Sequence, residues 1–505
     1  MAAPLALAAG ACSTQKKSRP NILLVVSDDQ SWTDAGAKHL ATPAFDRIAR
    51  EGVRFTNSFC ASPSCTPSRS AILSGRHVWQ QGEAGVLYGS IPTNMPLFTN
   101  LLEDAGYLTG FTGKGWGPGD WKALGLTRHP VGREYNELKY KETPRPGISP
   151  IDYSANFEQF LGDRPKEKPF CFWLGSSEPH RLYDTGSGLR SGKKLSDAIV
   201  PAFLPDTEQV RTDLLDYYYE IEWYDQQLAR ALDVLAKTGE LENTLIVVTS
   251  DNGMPFPRAK ANLYDWGTHM PMAMRWGSHI KAGQVLDDLI SHTDLAPTFL
   301  EAAEVAQPAG MAGQSLLPLL LNGKAATPRD RIFTAMERHT MCRPEGATYP
   351  MRAMRTKDYL YIRNFAPDRW PTGGDFLSSN KTSHGDIDAG PAKVSVLDPK
   401  VAKEFPGQVH LCLDRRPAEE LYEISSDPGQ IKNLAADPAS QAQLTNMRGE
   451  LEAYLRQTSD PRMEGKDPWQ AFTYRQVTGY GASFNKSLPE ATRREAIEKS
   501  THKPE

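Results

Sequence analysis

The chain has 505 residues, of which 39% are hydrophobic, and this length exceeds the usual size of a single core. A large domain with a smaller one is therefore expected. The 57 Lys and Arg residues against 61 Asp and Glu leave a net charge of only -4. This balance offers no polybasic surface for nucleic acid, so any anionic ligand must be held by a few local residues.

The first residues combine a short apolar run with a cysteine. Residues 4–11 are apolar, end in small side chains and precede Cys12. This pattern resembles the end of a bacterial lipoprotein signal with the lipid on Cys12, and it is too short to span a bilayer. The alternative is an Ala-rich terminus without such a role. We expect an exported protein, a periplasmic or outer-membrane lipoprotein anchored through Cys12.

The cysteines do not form a disulfide framework, because six in 505 residues are too few. Cys171 lies in an apolar run at 170–174 and is predicted to be a buried core thiol. The sequence leaves open whether Cys60, Cys342 or Cys412 pair.

An alternation of strands and helices begins at residue 21. Residues 21–27 form an apolar, β-branched run of the kind buried in a parallel sheet, and it stops at Asp28 and Asp29. A helix follows, with Thr42 as its cap and Gly52 as its stop.

The same alternation recurs further along the chain. A strand at 170–174, a long helix at about 210–237 and a strand at 244–249 precede Asp251 and Asn252. This order predicts an α/β fold with a large mixed, mostly parallel central sheet flanked by helices.

Acidic residues follow two of the predicted strands. Ligands gather outside the carboxyl ends of parallel strands, so we expect Asp28 and Asp29 to share one rim with Asp251 and Asn252. Their oxygen atoms suit Ca²⁺ or Mg²⁺, and the absence of Cys and His among them disfavours zinc. The alternative is that they are ordinary cap or turn residues.

The pattern changes from about residue 330. Short strand-like runs such as 359–362 alternate with Pro/Gly/Ser-rich loops at 366–393, and a strand at 420–424 precedes a helix at about 438–456. We therefore predict a small α+β domain with a short antiparallel sheet. The predicted division is a signal-like segment and linker at 1–19, a large domain at 20–340, the C-terminal subdomain at 341–475 and a polar tail at 476–505.

The most specific motif is CTPSR at 65–69, continued by SAILSGR at 70–76. It resembles the signature of the type I sulfatases of the alkaline phosphatase superfamily, C-x-P-S-R followed by S-G-R. Within that family, SDNGMPFPRAKANLY at 250–264 looks most like the sulfamidase (heparan N-sulfatase) subfamily. Further similarity covers Gly113-Lys114, Pro179-His180-Arg181, 294–298, 349–352 and 421–434.

The resemblance implies hydrolysis of sulfate esters or sulfamates of a carbohydrate. A formylglycine-generating enzyme would convert Cys65 to formylglycine (3-oxoalanine), which hydrates to a geminal diol. One hydroxyl would attack sulfur and the other would later lose its proton to expel sulfate, so that a covalent intermediate divides the reaction into two steps. A helix predicted at 67–74 would favour an anion beside residue 65. The alternative is an ordinary cysteine at a helix start.

The resemblance also implies a cation site. Ca²⁺, in preference to Mg²⁺, would be held by the formylglycine at position 65 together with the residues of the predicted rim: Asp28, Asp29, Asp251 and Asn252.

Further roles follow from the same resemblance. Arg69 would hold the formylglycine and the metal carboxylates. Lys114 and Lys260 would bind sulfate oxygens. His180 would bind sulfate and protonate the leaving group.

One position departs from the family pattern, which has histidine two residues after the lysine. Here Trp116 follows Lys114, and tryptophan donates one hydrogen bond but cannot act as a base. His269 is a candidate for the missing role. Alternatively, His269, Trp116 and Arg181 contact the substrate.

Three functions remain open at this point. The first is a sulfatase acting on a sulfated mono-, oligo- or polysaccharide. The second, suggested by Trp116, is a catalytically impaired protein that binds sulfated glycans. The third is a phosphodiesterase or phosphonate hydrolase of the same superfamily, whose members favour metal sites richer in histidine. The sugar, the sulfate position and the oligomeric state are not determined.

Overall fold

The structure is a computed structural model that describes residues 19–34, 39–376 and 383–475. The predicted lipoprotein segment with Cys12 and the polar tail at 476–505 lie outside these residues. Among the described residues, none of the helices combines the length and the apolar character needed to cross a bilayer.

The strands form two sheets. Their bounds are Asn21–Ser27 (β1), Val53–Phe59 (β2), Leu108–Thr112 (β3), Arg133–Glu134 (β4), Phe170–Gly175 (β5), Thr244–Ser250 (β6), His269–Arg275 (β7), Gln284–Ser291 (β8), Arg331–Met336 (β9), Met351–Thr356 (β10), Tyr359–Asn364 (β11) and Glu419–Glu423 (β12). The eight-stranded sheet has the order β4-β3-β5-β1-β6-β7-β2-β8, and the four-stranded sheet has the order β12-β11-β10-β9. In the large sheet, only β7 runs antiparallel to its neighbours β6 and β2.

Helices cover both faces of the large sheet. Their bounds are Pro43–Glu51 (α1), Cys65–Ser74 (α2), Phe98–Asp104 (α3), Tyr153–Asp163 (α4), Ser187–Arg190 (α5), Glu208–Thr238 (α6), Asp265–Thr268 (α7), Leu295–Ala302 (α8), Leu317–Asn322 (α9), Pro391–Leu397 (α10), Pro399–Glu404 (α11), Pro406–Leu413 (α12) and Gln441–Gln457 (α13). The residues of α1, α4 and α6 pack on one face, and those of α2, α3 and α8 on the other. The predicted fold class is confirmed.

Strands β1 and β6 determine where the acidic residues lie. All seven residues of each strand are buried, as expected for continuous apolar runs in a parallel sheet. The two strands are neighbours and run parallel, with Ser27 opposite Ser250. Both strands therefore end at the same edge of the sheet.

Helix α1 begins and ends where the sequence predicts, but for a different physical reason. Thr42 occupies the cap position, but its side chain makes no capping hydrogen bond to the helix. The first-turn N–H groups of Ala44 and Phe45 instead donate to the Asp225 carboxylate of α6, at 2.9 Å each. Gly52 is required by a close approach, since a Cβ there would lie 2.0 Å from the carbonyl oxygen of Met274. Tertiary contacts, and not the local cap, fix this helix.

Helix α2 starts at Cys65, two residues earlier than predicted. Pro67 is tolerated because the first-turn N–H groups of a helix have no partner within the helix. Gly75, whose φ of 64° is left-handed, caps the carboxyl end of the helix. All ten residues of α2 are buried.

The small sheet begins with β9, before the boundary predicted at residue 340. The strands predicted at 359–362 and 420–424 and the helix predicted at 438–456 are present. The loop-rich stretch predicted at 366–393 contains the start of α10, which packs on α6 of the large domain. The cysteines in the described residues are buried and free, Cys171 among them as predicted.

Candidate active site

The acidic residues after β1 and β6 meet at one rim of the large sheet. The N–H of Asp29 donates to Asp251 Oδ1 at 3.1 Å, and Asn252 Nδ2 donates to Asp29 Oδ1 at 2.7 Å. Asp28, Asp29, Asp251 and Asn252 are each at most 2% exposed. The sequence therefore predicted their proximity correctly from the ends of the strands.

Cys65 faces these carboxylates from the first position of α2. Its Sγ lies 3.6 Å from Asp28 Oδ1 and 3.9 Å from Asp29 Oδ1. Burial raises the pKa of this thiol well above its ordinary value, so the unmodified side chain is a neutral thiol. A neutral, 2%-exposed thiol is a poor nucleophile.

Arg69 connects three parts of the chain around this rim. Its Nε donates to Asp251 Oδ2 at 2.7 Å, and one terminal nitrogen donates to the carbonyl oxygens of Lys114 and Gly115 at 2.8 and 2.7 Å. The side chain is fully buried. Arg69 therefore ties α2 to the end of β6 and to the loop after β3.

Two lysines neutralise the buried carboxylates. Lys114 Nζ lies 2.6 Å from both oxygens of Asp28, and Lys260 Nζ lies 2.6 Å from Asp29 Oδ2 and 3.0 Å from Asp388 Oδ2. Burial would lower the pKa of both lysines, but the adjacent carboxylates raise it above the ordinary value. Both ammonium groups are therefore charged at neutral pH.

His180 lies at the edge of this cluster. Its Nδ1 is 2.7 Å from the carbonyl oxygen of Arg181, which can only accept, so Nδ1 carries the hydrogen. Its Nε2 is 3.7 Å from Asp29 Oδ2. Burial lowers the pKa of His180 to about 4, so the isolated ring is neutral at pH 7.

The cluster opens into a cavity of about 610 Å³. Four residues that the sequence singled out line it: Cys65, His180, Arg181 and Lys260. The remaining polar wall comes from residues that the sequence did not single out: Tyr88, His339, Thr340, Asp388, Lys393 and Tyr474. They lie in loops without a motif, except Lys393, which lies in α10. No motif or regular spacing in the sequence marks these residues.

His339 is a histidine of the cavity wall that contacts the residue before Cys65. Its Nδ1 lies 2.9 Å from Oγ of Ser64, the residue before Cys65. It is 3% exposed, and burial lowers its pKa to about 4. The cavity therefore contains a second neutral imidazole besides His180.

Trp116 and His269 do not line this cavity, which corrects the prediction that they contact the substrate. Trp116 is buried in the core, and its indole N–H donates to Ser70 Oγ at 2.8 Å. His269 is stacked between Trp32 and Phe59, with ring centroids 4.5 and 4.6 Å away. His269 therefore cannot replace the family histidine.

Arg181 lines the cavity but is already engaged. Its two terminal nitrogens donate to the two oxygens of Asp213 at 2.7 Å each, and its Nε donates to the carbonyl oxygen of Pro255. This ion pair fixes Arg181 in the cavity wall, and the substrate contact stays a prediction.

The rim residues fit a hard cation. Asn252 Oδ1 is buried and has no hydrogen-bond partner among the described residues. An unpaired buried amide oxygen is costly unless a ligand occupies it. Ligand atoms of Asp28, Asp29 and Cys65 lie within 4.8 Å of one another. The donors are mostly carboxylate and amide oxygens, the preferred ligands of Ca²⁺ and Mg²⁺.

Comparison with known proteins agrees with this arrangement. A family model described as Sulfatase matches residues 20–305, more than half of the chain. A second model, described as N-sulphoglucosamine sulphohydrolase, C-terminal, matches residues 258–371. The second match includes Lys260 and His339 of the cavity.

Individual relatives extend over most of the chain. Human N-sulphoglucosamine sulphohydrolase is 29% identical over 90% of this chain and 93% of its own length. An ulvan-active sulfatase of Formosa agariphila is 29% identical over 84% of this chain and 78% of its own length. A solved protein in complex with its substrate D-glucosamine-2-N,6-O-disulfate has a TM-score of 0.63 at 21% identity, covering 89% of this chain and 100% of that one.

The match to the sulfatase model spans both strand ends of the rim and the helix that carries Cys65. The match to the sulfamidase C-terminal model continues beyond it through β11. The chain therefore belongs to the sulfatase family of sulfuric ester hydrolases, and it resembles the sulfamidase branch of that family.

Proposed function

We propose that this chain is a formylglycine- and calcium-dependent sulfatase that removes sulfate from sulfated glucosamine-type carbohydrates. The observation that carries the proposal is the position of Cys65. It begins a buried helix on the floor of the cavity, and its Sγ lies within 4 Å of two carboxylates paired with Lys114 and Lys260. Cationic side chains and helix N–H groups together favour a sulfate at this position.

The choice of sugar rests on the relatives. The C-terminal match is to a family named after N-sulphoglucosamine, and the human relative carries the same name. The solved neighbour holds a glucosamine with two sulfate groups. We therefore propose N- or O-sulfated glucosamine as the preferred unit, and ulvan-type sulfated polysaccharide as the competing substrate.

The cation would be held by Asp28, Asp29, Asp251 and Asn252. When bound there, Ca²⁺ would supply positive charge that offsets the charge of the sulfate. Arg69 would hold the Asp251 carboxylate in position for the cation through its hydrogen bond to Oδ2. Metal analysis of the purified protein tests the proposal, since about one calcium per chain is expected, and an Asp251→Asn variant should lose it.

In the first step, one hydroxyl of the hydrated residue 65 loses its proton to solvent and attacks sulfur, and the bond from sulfur to the sugar oxygen or nitrogen breaks. The leaving atom takes a proton, which we assign to His180. A sulfate anion beside the ring favours the protonated imidazole, which offsets the effect of burial on its pKa. The sugar then leaves, and residue 65 carries the sulfate.

In the second step, the remaining hydroxyl of residue 65 loses its proton, the aldehyde re-forms and the carbon–oxygen bond to sulfate breaks. Trp116 cannot accept this proton. We propose that His339 does, because it is neutral, lines the cavity and contacts the residue next to Cys65. Water then rehydrates the aldehyde.

Mass spectrometry of the peptide that contains residue 65 tests the nucleophile. We expect aldehyde in place of thiol when the protein is made with a formylglycine-generating enzyme. Cys65→Ala should abolish sulfate release, measured by ion chromatography on defined sulfated sugars. Cys171→Ala, which removes a buried thiol near the start of β5 and away from the rim, is the matched control. Undiminished release from protein with unmodified Cys65 would refute the mechanism.

Trp116 favours one competing function, a protein that binds sulfated glycans without turnover. Calorimetry and ion chromatography together separate the two functions. A binding protein would bind sulfated glucosamine in calorimetry and release no sulfate from it.

We also propose that the protein is exported and anchored by lipid on Cys12. Metabolic labelling with a fatty acid tests this, since Cys12→Ala should lose the label and leave the membrane fraction.

A further inference from the structure

The wall of the cavity carries a buried lysine that the proposed mechanism does not use. Lys393 is 2% exposed and lines the same cavity as Cys65. Its Nζ donates to the carbonyl oxygen of Ile387 at 3.0 Å. No carboxylate among the described residues lies within ion-pair distance of it.

The contrast with the other cations of the cavity is what makes Lys393 distinctive. Lys260 pairs with Asp29 and Asp388, and Arg181 pairs with Asp213. A buried charge without an opposite charge is costly, so proteins retain one where a ligand supplies the counter-charge.

The acidic residues closest in sequence to Lys393 are already engaged. Asp386 pairs with Arg343 at 2.8 Å, and Asp388 pairs with Lys260 at 3.0 Å. Burial lowers the pKa of Lys393 to about 8, so the ammonium form still predominates at pH 7. The Lys393 ammonium group therefore has donors to spare within the cavity.

Lys393 is also held in a fixed position. It is the third residue of α10, and the N–H of Ala392 donates to Asp213 Oδ2 at 2.9 Å. The same carboxylate holds Arg181, and Ser395 Oγ contacts Thr207 Oγ1 at 3.1 Å. A preorganised donor loses little conformational entropy when a ligand binds.

We propose that Lys393 is a second anion subsite, which selects sulfated sugars that carry another negative group besides the sulfate being removed. This proposal rests on the proposed sulfatase function. A cavity of about 610 Å³ lies within the usual range for small-ligand sites and can hold a sugar ring with two charged substituents. The second group is a carboxylate of an adjoining uronate or a second sulfate, and the two share the chemistry that an ammonium recognises.

The test compares three substrates: glucosamine 6-sulfate, glucosamine 2-N,6-O-disulfate, and a monosulfated glucosamine linked to a uronate. The parent enzyme should have the higher kcat/KM on at least one of the doubly charged substrates. Lys393→Met should lower kcat/KM on that substrate about 10- to 100-fold, mostly through KM, the range expected for one charge-assisted hydrogen bond. Its kcat/KM on glucosamine 6-sulfate should change less than about twofold.

If Lys393→Met abolishes the preference for the disulfate, the second group is a sulfate. If it abolishes the preference for the uronate-linked substrate, the second group is a carboxylate. Lys122→Met, at an exposed lysine outside the cavity, is the matched control and should leave all three values unchanged. If Lys393→Met does not fold, Lys393→Gln carries the same expectation, because its amide can still donate to the carbonyl of Ile387.

Two failures can be told apart. A parent enzyme that releases sulfate from none of the substrates contradicts the proposed function. A parent that is active but shows no preference between single and double charge, or a Lys393→Met variant with equal losses on all three substrates, overturns the subsite. Calorimetry with Cys65→Ala gives a readout without turnover, since the affinity for the disulfate should fall when Lys393→Met is added.

Discussion

Replacing Arg69 by lysine keeps the positive charge at the centre of the site but removes the shape that connects its parts. The guanidinium donates to Asp251 through Nε and to the carbonyl oxygens of Lys114 and Gly115 through a terminal nitrogen. A single ammonium nitrogen cannot occupy both positions. We therefore expect Arg69→Lys to keep one of these contacts and lose the others.

The magnitude follows from burial. Arg69 and Asp251 are both fully buried, and breaking a buried charge pair costs about 3–5 kcal/mol because the remaining charge stays desolvated. Two carbonyl oxygens would also lose a donor, at about 1–3 kcal/mol each where no water replaces it. A loss of at least about 3 kcal/mol is a large part of the stability of a typical domain.

Urea unfolding followed by tryptophan fluorescence measures this loss. Arg50→Lys, at an exposed position of α1, is the matched control and should stay within about 0.5 kcal/mol of the parent. An Arg69→Lys variant that unfolds within about 1 kcal/mol of the parent would show that the guanidinium geometry does not hold the rim together.

Three further variants test separate parts of the reasoning. Trp116→Phe removes the indole hydrogen bond to Ser70, so we expect the free energy of unfolding to fall by about 0.5–1.5 kcal/mol with sulfate release retained; a loss of turnover would instead give Trp116 a part in the reaction. His339→Gln should trap residue 65 as its sulfate ester after one turnover, visible in intact-protein mass spectrometry as one added sulfuryl group; steady turnover at the parent rate would exclude His339 as the base of the release step. His292 is buried, and burial lowers its pKa to about 3 in the folded protein, whereas the pKa of an unfolded histidine is about 6.5. As the pH falls, the unfolded chain therefore binds a proton at this residue before the folded chain does. Stability should therefore decrease from about pH 6.5 towards 3, by roughly 1.4 kcal/mol per pH unit from this residue, and His292→Gln should show a shallower decline in urea titrations at several pH values.

The parts of the fold that the sequence predicts are those determined by local patterns. The apolar runs of β1 and β6 identify both as buried strands, and their acidic ends identify the rim. The signature at 65–69 locates Cys65, the nucleophile that we propose, because its residues lie within about one helical turn. These features need no knowledge of distant parts of the chain.

The parts that were missed depend on distant contacts. Asp225 caps α1 from about 180 residues away, which no local pattern indicates. His269 ends between two aromatic rings because β7 pairs with β2, and an antiparallel neighbour cannot be read from residues near 269. His339 reaches the cavity from a loop and Lys393 from the short helix α10, and no periodic pattern in the sequence indicates that either faces the cavity.

The burial of α2 determines whether Cys65 can be oxidised before or after the protein folds. Cys65 is 2% exposed, and every residue from 65 to 74 is covered by the sheet, neighbouring helices and loops. An enzyme that oxidises Cys65 must bind the peptide around it, and the folded protein does not offer that peptide. The oxidation we propose therefore has to precede folding of the large domain. A chain that folds first would keep its thiol permanently, and supplying the maturation enzyme afterwards would not rescue it.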